Sequence, residues 1–169
     1  MLASLVSTTL VVLHLLLAPV SYAGEWTLDL AASRNAPARW QAVERHTLQV
    51  TQNDSVMHVI VAMARRGATM PPDTLRYAFF LDGRAVKSTT TVRTPDGPRE
   101  VPTSTRTTVD ADGAVQIVMS MTDEMNGATI TSGITERWTL SADGRTLTVH
   151  RVDRFPQGTT DWDMVFRRR

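Results

Sequence analysis

From Glu25 onward, apolar and polar residues alternate with a period of two, and turns containing Asp-Gly, Asn-Asp or proline interrupt the alternation. This pattern is typical of half-buried antiparallel strands, in which successive side chains point to opposite faces. It predicts strands over residues 25–30, 45–52, 56–65, 74–81, 84–92, 103–109, 114–122, 129–140, 145–155 and 161–168. One short helical turn is expected over residues 37–44, where proline suits a first turn.

The core face of the first long hairpin follows from the alternation, whatever the length of the turn at Asn53 and Asp54. Its members are His46, Leu48, Val50, Met57, Val59, Val61 and Met63. His58 falls on the opposite face, so we expect His46 and His58 to point away from each other.

The first and last strands each carry a buried stripe. The stripes consist of Trp26, Leu28 and Leu30, and of Trp162, Met164 and Phe166. Hairpins with one apolar face must close into a barrel or pair into a sandwich. Because nearly every link is short, we expect an all-β fold, an antiparallel up-and-down β-barrel of about eight to ten strands. At most one short helix follows the first strand, and pairing of the first and last strands would close the barrel.

The N-terminus has the pattern of a secretory signal peptide. It reads MLASLVSTTLVVLHLLLAPVSYA, with no charged side chain, an apolar core from Leu10 to Leu17, and small residues at Ser21 and Ala23. The pattern predicts cleavage after Ala23, which leaves residues 24–169 as one exported domain, periplasmic or extracellular, with no membrane span. A membrane anchor is the competing interpretation, but the apolar run is shorter than the roughly 20 residues that a spanning helix needs.

Charge and cysteine content narrow the possible partners. The formal net charge is +1, with both signs interspersed except for three arginines at the C-terminus. No basic stripe with interleaved aromatic residues occurs, so we expect no nucleic-acid partner. The chain has no cysteine, which excludes disulfides within it.

Two segments carry a resemblance to a known family. The residues GEWTLD at Gly24 resemble the Gly-x-Trp signature of lipocalins and related calycin barrels, and GEWTLDLAASR and WTLSADGRTLTV are similar to segments of small exported bacterial lipocalin-like domains. The resemblance covers only the two ends of the chain. It implies an up-and-down barrel, often with an apolar cavity for a small hydrophobic ligand. It also implies a cation from the last strand over Trp26, here Arg167 or a neighbour.

Motifs for catalysis or metal binding are lacking. There is no cysteine and no Gly-x-Ser-x-Gly segment, and the expected mature chain has only three histidines, of which His46 and His58 point apart. The acidic segment 110–113 fails the spacing of a calcium loop. We therefore expect no metal and no cofactor. An enzyme built in such a barrel stays an alternative without an assigned reaction.

A charged pair interrupts the apolar stripe of the segment ITERWTLSADGRTLTVHRVDRF. A two-residue type I′ turn at Asp143 and Gly144 would set Leu140 opposite Leu147, Trp138 opposite Val149 and Glu136 opposite Arg151. In one interpretation the pair joins Asp153 in a half-exposed bridge at the barrel rim. In the other, Arg151 lies inside and binds a ligand carboxylate or phosphate while Glu136 holds it in place. A bulge at Val152 would turn Arg151 outward.

We predict non-catalytic binding of a small hydrophobic or amphipathic molecule. The candidate ligand-binding residues are Arg151, Glu136, Trp138, Val149, Met119 and Met121. The alternative is a cell-envelope protein-interaction module with a filled barrel. Such a module would present the polar segment RTPDGPREVP, expected to be a mobile loop, to an unknown protein partner.

Overall fold

The computed structural model describes residues 20–68, 72–94, 97–125 and 128–169. Positions 1–19 of the predicted signal peptide lie outside this part. The described elements are β1 (Gly24–Leu28), a 3₁₀ helix (Ala38–Ala42), β2 (Val43–Gln52), β3 (Val56–Arg65), β4 (Asp73–Phe80), β5 (Ala85–Thr94), β6 (Gly97–Val109), β7 (Val115–Met125), β8 (Ala128–Leu140), β9 (Thr146–Phe155) and β10 (Gly158–Arg168). Within these ranges, no helix has the length and hydropathy needed to cross a membrane.

All ten strands form one antiparallel sheet in the order β4-β3-β2-β1-β10-β9-β8-β7-β6-β5. The first and last strands pair, with Trp26 opposite Arg168 and Leu28 opposite Phe166. The predicted all-β, up-and-down architecture is therefore confirmed. The sheet curls into a barrel that stays open between its edge strands, β4 and β5, so the expectation that pairing of the first and last strands closes the barrel was wrong. At this opening the Gly83 N–H donates to the Thr107 carbonyl at 3.0 Å, which ties the β4–β5 connection to β6.

Inward and outward faces follow the alternation of the sequence. In the β2–β3 ladder, His46 lies opposite Met63 and Leu48 opposite Val61. His46 is buried and His58 is exposed, so the prediction that these histidines face apart is confirmed. On β10, Trp162, Met164 and Phe166 are all buried, as expected for the core stripe.

The polar segment that was expected to be a loop is the far part of the β5–β6 hairpin, and that expectation was wrong. Residues 95 and 96 at its tip lie outside the described part. Pro98 pairs with Arg93 and Pro102 pairs with Thr89, whereas the ladder between β6 and β7 begins only at Thr103. Within the described residues, the first part of β6 thus forms a backbone ladder with β5 alone, although Arg99 bonds to Asp123 and to the Glu124 carbonyl of β7. A strand without a ladder on one side tolerates proline because no backbone partner there needs its missing N–H.

One end of the barrel is filled by aromatic side chains. Tyr22 is fully buried, and its hydroxyl lies 2.9 Å from the Trp138 carbonyl and 3.0 Å from the Gly113 carbonyl. Trp26 donates through Nε1 to the Tyr22 carbonyl at 2.9 Å. Tyr22 belongs to the predicted signal peptide, so cleavage after Ala23 would remove a side chain that packs in this core.

A cation lies over Trp26, as the resemblance to lipocalin-like barrels implies. This cation is Arg168, the residue after Arg167, and its Cζ atom is 4.4 Å from the centroid of the Trp26 ring. Arg168 also donates to the carbonyls of Gly144 and Ala23, at 2.7 and 2.8 Å. The arginine therefore fastens the end of β10 to two neighbouring chain segments.

Candidate functional site

The β8–β9 hairpin places the charged pair in the barrel wall. Glu136 lies opposite Arg151, in the register that the sequence predicts. The prediction of a type I′ turn was wrong, because that turn needs a positive φ at both central residues. Gly144 has a φ of 68°, but Asp143 does not have a positive φ. Instead, the Gly144 N–H donates to the Ser141 carbonyl at 2.8 Å. The register is kept because Ser141 still pairs with Thr146 beyond this turn.

The predicted ion pair is formed and is part of a larger network. Arg151 donates through Nη1 to Glu136 Oε1 at 2.8 Å and through Nε to Asp153 Oδ1 at 2.7 Å. The second oxygens of the two carboxylates are also occupied: Trp138 Nε1 donates to Glu136 Oε2 at 2.9 Å, and Arg39 Nη2 donates to Asp153 Oδ2 at 3.0 Å. Every carboxylate oxygen of the network thus accepts a hydrogen bond from the protein.

The burial of this network differs from that of a charged rim. The side chains of Arg151 and Glu136 are 24% and 15% exposed, and that of Asp153 is 1% exposed. Pairing on both sides of β9 runs without a shift through Val152, so there is no bulge that turns Arg151 outward. The pair lies on the inner face of the barrel, with part of the Arg151 side chain still accessible.

The network borders a cavity of about 280 Å³ inside the barrel. Its wall is mostly aliphatic and aromatic and comes from strands on both sides of the β1–β10 ladder. The polar residues in the wall are His46, Asp73, Tyr77, Glu136 and Arg151. The cavity therefore combines a largely apolar wall with a few polar groups.

Five of the six candidate ligand-binding residues line this cavity: Arg151, Glu136, Trp138, Val149 and Met119. Met121 is not part of the wall. It lies two positions farther along β7, opposite Ser132, whereas Met119 lies opposite Ile134. The structure thus brings five of the predicted residues together around one space, and their contact with a ligand stays a prediction.

His46 is a polar residue of the wall that was not among the candidates. Its ring lies 5.2 Å from the Trp40 ring and 5.5 Å from the Phe166 ring, and its side chain is buried. Among the described residues, no group forms a hydrogen bond with His46 Nδ1. Burial lowers the pKa of His46 to about 4, and the positive charge of Arg151 acts in the same direction. The imidazole is therefore uncharged at neutral pH. The signal in the sequence was a histidine within the apolar stripe of β2.

Tyr77 is the other polar wall residue that was missed. It stacks on Phe79 with the ring centroids 5.5 Å apart. Burial raises the pKa of the Tyr77 hydroxyl, and the negative charge of Glu136 raises it further. The phenol therefore stays protonated and can donate a hydrogen bond. On the same strand, Leu75 lines the cavity although it is 54% exposed, so the cavity opens to solvent beside the edge strand β4.

The 3₁₀ helix covers another part of the cavity. It occupies most of the predicted helical turn over residues 37–44. Trp40 lines the cavity and lies 4.7 Å from the Trp162 ring, while Arg39 makes the ion pair with Asp153. The short helix is therefore held to the barrel by an aromatic contact and by a charged contact.

A larger groove of about 800 Å³ lies at the filled end of the barrel. Its walls are turn residues such as Asn53, Asp54 and Asp110, together with Val20. Val20 is the first described residue of the chain. We assign no ligand to this groove.

Metal-ligating side chains do not gather in the described ranges, where no group of three His, Asp or Glu residues is placed to hold an ion. His150 lies 2.9 Å from Asp163 through Nδ1 and 3.6 Å from Asp161 through Nε2. These three residues are on the outer face of β9 and β10, away from the cavity.

Comparisons with known proteins add little to this description. No family model matches the chain, and no curated protein matches it. A similar solved structure is the zebrafish ileal bile acid-binding protein complexed with cholic acid, which is 9% identical, has a TM-score of 0.46, and is aligned over 88% of this chain and 98% of its own. Because this likeness is distant, the fold assignment rests on the strand order and register.

Proposed function

We propose that this protein binds a small hydrophobic or amphipathic molecule in the barrel cavity, without catalysis. The main support is the cavity of about 280 Å³ inside the barrel, with its mostly apolar wall. Its size is just below the usual range of small-molecule pockets, which is about 300 to 1,000 Å³.

The composition of the wall explains why such a ligand would bind. Removing apolar surface from water contributes about 25 cal/mol per Å², so side chains such as Met119, Val149 and Trp138 supply affinity without specificity. The polar groups of Arg151 and Tyr77 supply direction, because a ligand oxygen gains a hydrogen bond only in one orientation. A molecule with an apolar body and one polar group fits this division.

A hydroxyl nucleophile activated by histidine finds no support in the described residues. In the described part of the chain, no serine or threonine hydroxyl is hydrogen-bonded to a histidine, and His150, the histidine that contacts carboxylates, lies on the outer face. A hydroxyl nucleophile needs such a neighbouring base. The interaction-module alternative required a filled barrel, whereas the barrel contains a cavity. The segment that the module would present is part of the β5–β6 hairpin.

We propose export of the chain on the pattern of residues 1–23 alone. Expression with export, followed by a denatured mass measurement, tests it. A mass that begins at Gly24 supports export with cleavage after Ala23, and an intact Met1 in exporting cells contradicts cleavage.

Native mass spectrometry tests the binding proposal. The chain is purified gently from exporting cells and measured under native and then denaturing conditions. We expect an adduct of a small molecule that is present only in the native spectrum. A Val118→Trp variant, changed on the outer face of β7, should keep the adduct, and a Met119→Trp variant should lose it. An adduct retained equally by both variants would place the ligand elsewhere.

A further inference from the structure

The positive charge of Arg151 is already balanced by protein carboxylates. Glu136 and Asp153 each accept a hydrogen bond from its guanidinium, at 2.8 and 2.7 Å. The second carboxylate is shared with Arg39, whose side chain is 56% exposed and lies outside the cavity wall. Two arginines and two carboxylates leave this cluster with no net charge.

The remaining wall adds no positive charge. Asp73 also lines the cavity, and His46 is uncharged at neutral pH. Glu136 and Asp73 each carry a negative charge and Arg151 carries a positive one, so the ionised groups in the wall have a net charge of −1. The apolar space is thus bordered by more carboxylate than cation.

An anionic ligand would meet an unfavourable balance in this cavity. Moving an anion out of water is costly unless a cation pairs with it, and Arg151 is already shared between two carboxylates. A ligand anion at the guanidinium would also lie near those carboxylates, and like charges at such an interface repel. An uncharged hydroxyl or carbonyl has neither cost.

Arg151 still has donors for an uncharged oxygen. A guanidinium carries five N–H groups, and described residues accept from Nε and Nη1. With part of its side chain accessible at the cavity, the arginine can donate a remaining N–H to a neutral acceptor. Its fixed contacts with Glu136 and Asp153 hold the guanidinium in one orientation for this purpose.

We infer that the cavity selects an uncharged amphiphile, whose hydroxyl or carbonyl oxygen bonds to Arg151, and that Glu136 sets the discrimination against anionic amphiphiles. The inference rests on the proposed binding function and specifies its ligand class. It assigns to Glu136 a role in specificity rather than in affinity for the apolar body of the ligand.

Two fluorescent probes with the same ring system test this inference. N-phenyl-naphthylamine is uncharged and carries no oxygen, whereas anilinonaphthalene sulfonate is an anion, so the pair tests the discrimination by charge. Both are titrated at neutral pH, and only the fluorescence that Met119→Trp removes is counted as binding in the cavity. We expect the native chain to bind the uncharged probe about tenfold or more tightly than the sulfonate, a difference of about 1.4 kcal/mol.

Glu136→Gln makes the test specific, because it removes the charge and keeps nearly the same shape. It should strengthen sulfonate binding about fivefold or more relative to binding of the uncharged probe. Asp54→Asn is the matched control, since it changes the net charge equally at an exposed turn; it should leave both affinities unchanged. Asp73→Asn, in the exposed part of the wall, should also strengthen sulfonate binding relative to binding of the uncharged probe. This second variant keeps the test possible if Glu136→Gln does not fold.

The possible outcomes separate the inference from the proposed function. Tighter binding of the sulfonate by the native chain overturns the inference and leaves the binding function standing. Equal strengthening by Asp54→Asn and Glu136→Gln also overturns it, because net charge would then suffice. If the native chain binds neither probe in the cavity, both the inference and the proposed function fail.

Discussion

Arg151 and Glu136 face each other across the β8–β9 ladder, with Nη1 of the arginine 2.8 Å from Oε1 of the glutamate. Both side chains point to the inner face of the barrel, where Trp138 and Val149 are buried beside them. Asp153 binds the same guanidinium from the next inward position of β9. The polar part of the cavity is therefore built into the ladder and does not depend on a ligand for its geometry.

Replacing Arg151 should lower stability more than replacing an arginine whose carboxylate partners are solvated. Glu136 and the buried Asp153 share Arg151 as a hydrogen-bond donor. Arg151→Ala removes this donor, which should lower the free energy of unfolding by about 1 to 3 kcal/mol. Arg137→Ala is the control, because its partners Asp110 and Asp112 are solvated. Urea unfolding measures both. Equal, small losses would mean that the network contributes no more than a surface ion pair.

The free energy of unfolding should decrease as the pH is lowered through a window set by His46. Burial lowers the pKa of His46 from 6.5 to about 4, so the unfolded chain takes up this proton first as the pH falls. The free energy of unfolding should therefore decrease from about pH 6.5 down to about pH 4, by roughly 3 kcal/mol at most. His46→Phe should remove this part of the slope, and His58→Gln, on the exposed outer face, should not. An unchanged slope in His46→Phe contradicts this assignment.

The ladder of the barrel could be predicted because each strand buries one face, which forces apolar residues into alternate positions. The β3 strand lies over the predicted residues, and Glu136 is opposite Arg151 as expected. The alternation failed for the first part of β6, where Pro98 and Pro102 suggested a loop. A pattern within one segment does not show which side of a strand will lack a partner.

The complete cavity could not be predicted from such patterns. Alternation tells which side chains face inward, but the curl of the sheet decides how far the empty space extends along each strand. Met121 faces the same way as Met119 and yet lies beyond the wall, whereas His46 and Tyr77 come to it from β2 and β4. The convergence of distant strands is a property of the assembled barrel.

Arg168 should contribute to stability through its geometry as well as its charge. Arg168→Lys keeps the cation near Trp26, but an ammonium cannot stack over the ring and also bond to the carbonyls of Gly144 and Ala23. We expect a loss of about 1 kcal/mol in urea unfolding. Arg169→Lys, which affects only an exposed bond to Thr27, serves as the comparison. A similar effect of both changes would remove the special role of Arg168.

Tyr22 should be needed for full stability of the barrel. A chain that begins at Gly24 lacks this buried ring and should be less stable than one that begins at Val20, by about 2 to 4 kcal/mol. Tyr22→Phe should cost about 1 kcal/mol, because only the hydroxyl bond is lost. Ser21→Ala, at an exposed position, should have little effect. Equal stability of the two chain lengths would show that residues 20–23 add nothing to the core.

Binding in the cavity is tested most directly by a fluorescence titration of the uncharged probe N-phenyl-naphthylamine with the native chain, Met119→Trp and Val118→Trp. Met119 lines the cavity and its neighbour Val118 is 44% exposed on the outer face, so the same large side chain is added inside or outside the barrel. We expect saturable binding by the native chain and Val118→Trp, and at least about tenfold weaker binding by Met119→Trp. Binding that Met119→Trp leaves intact would contradict the claim that the cavity holds the ligand.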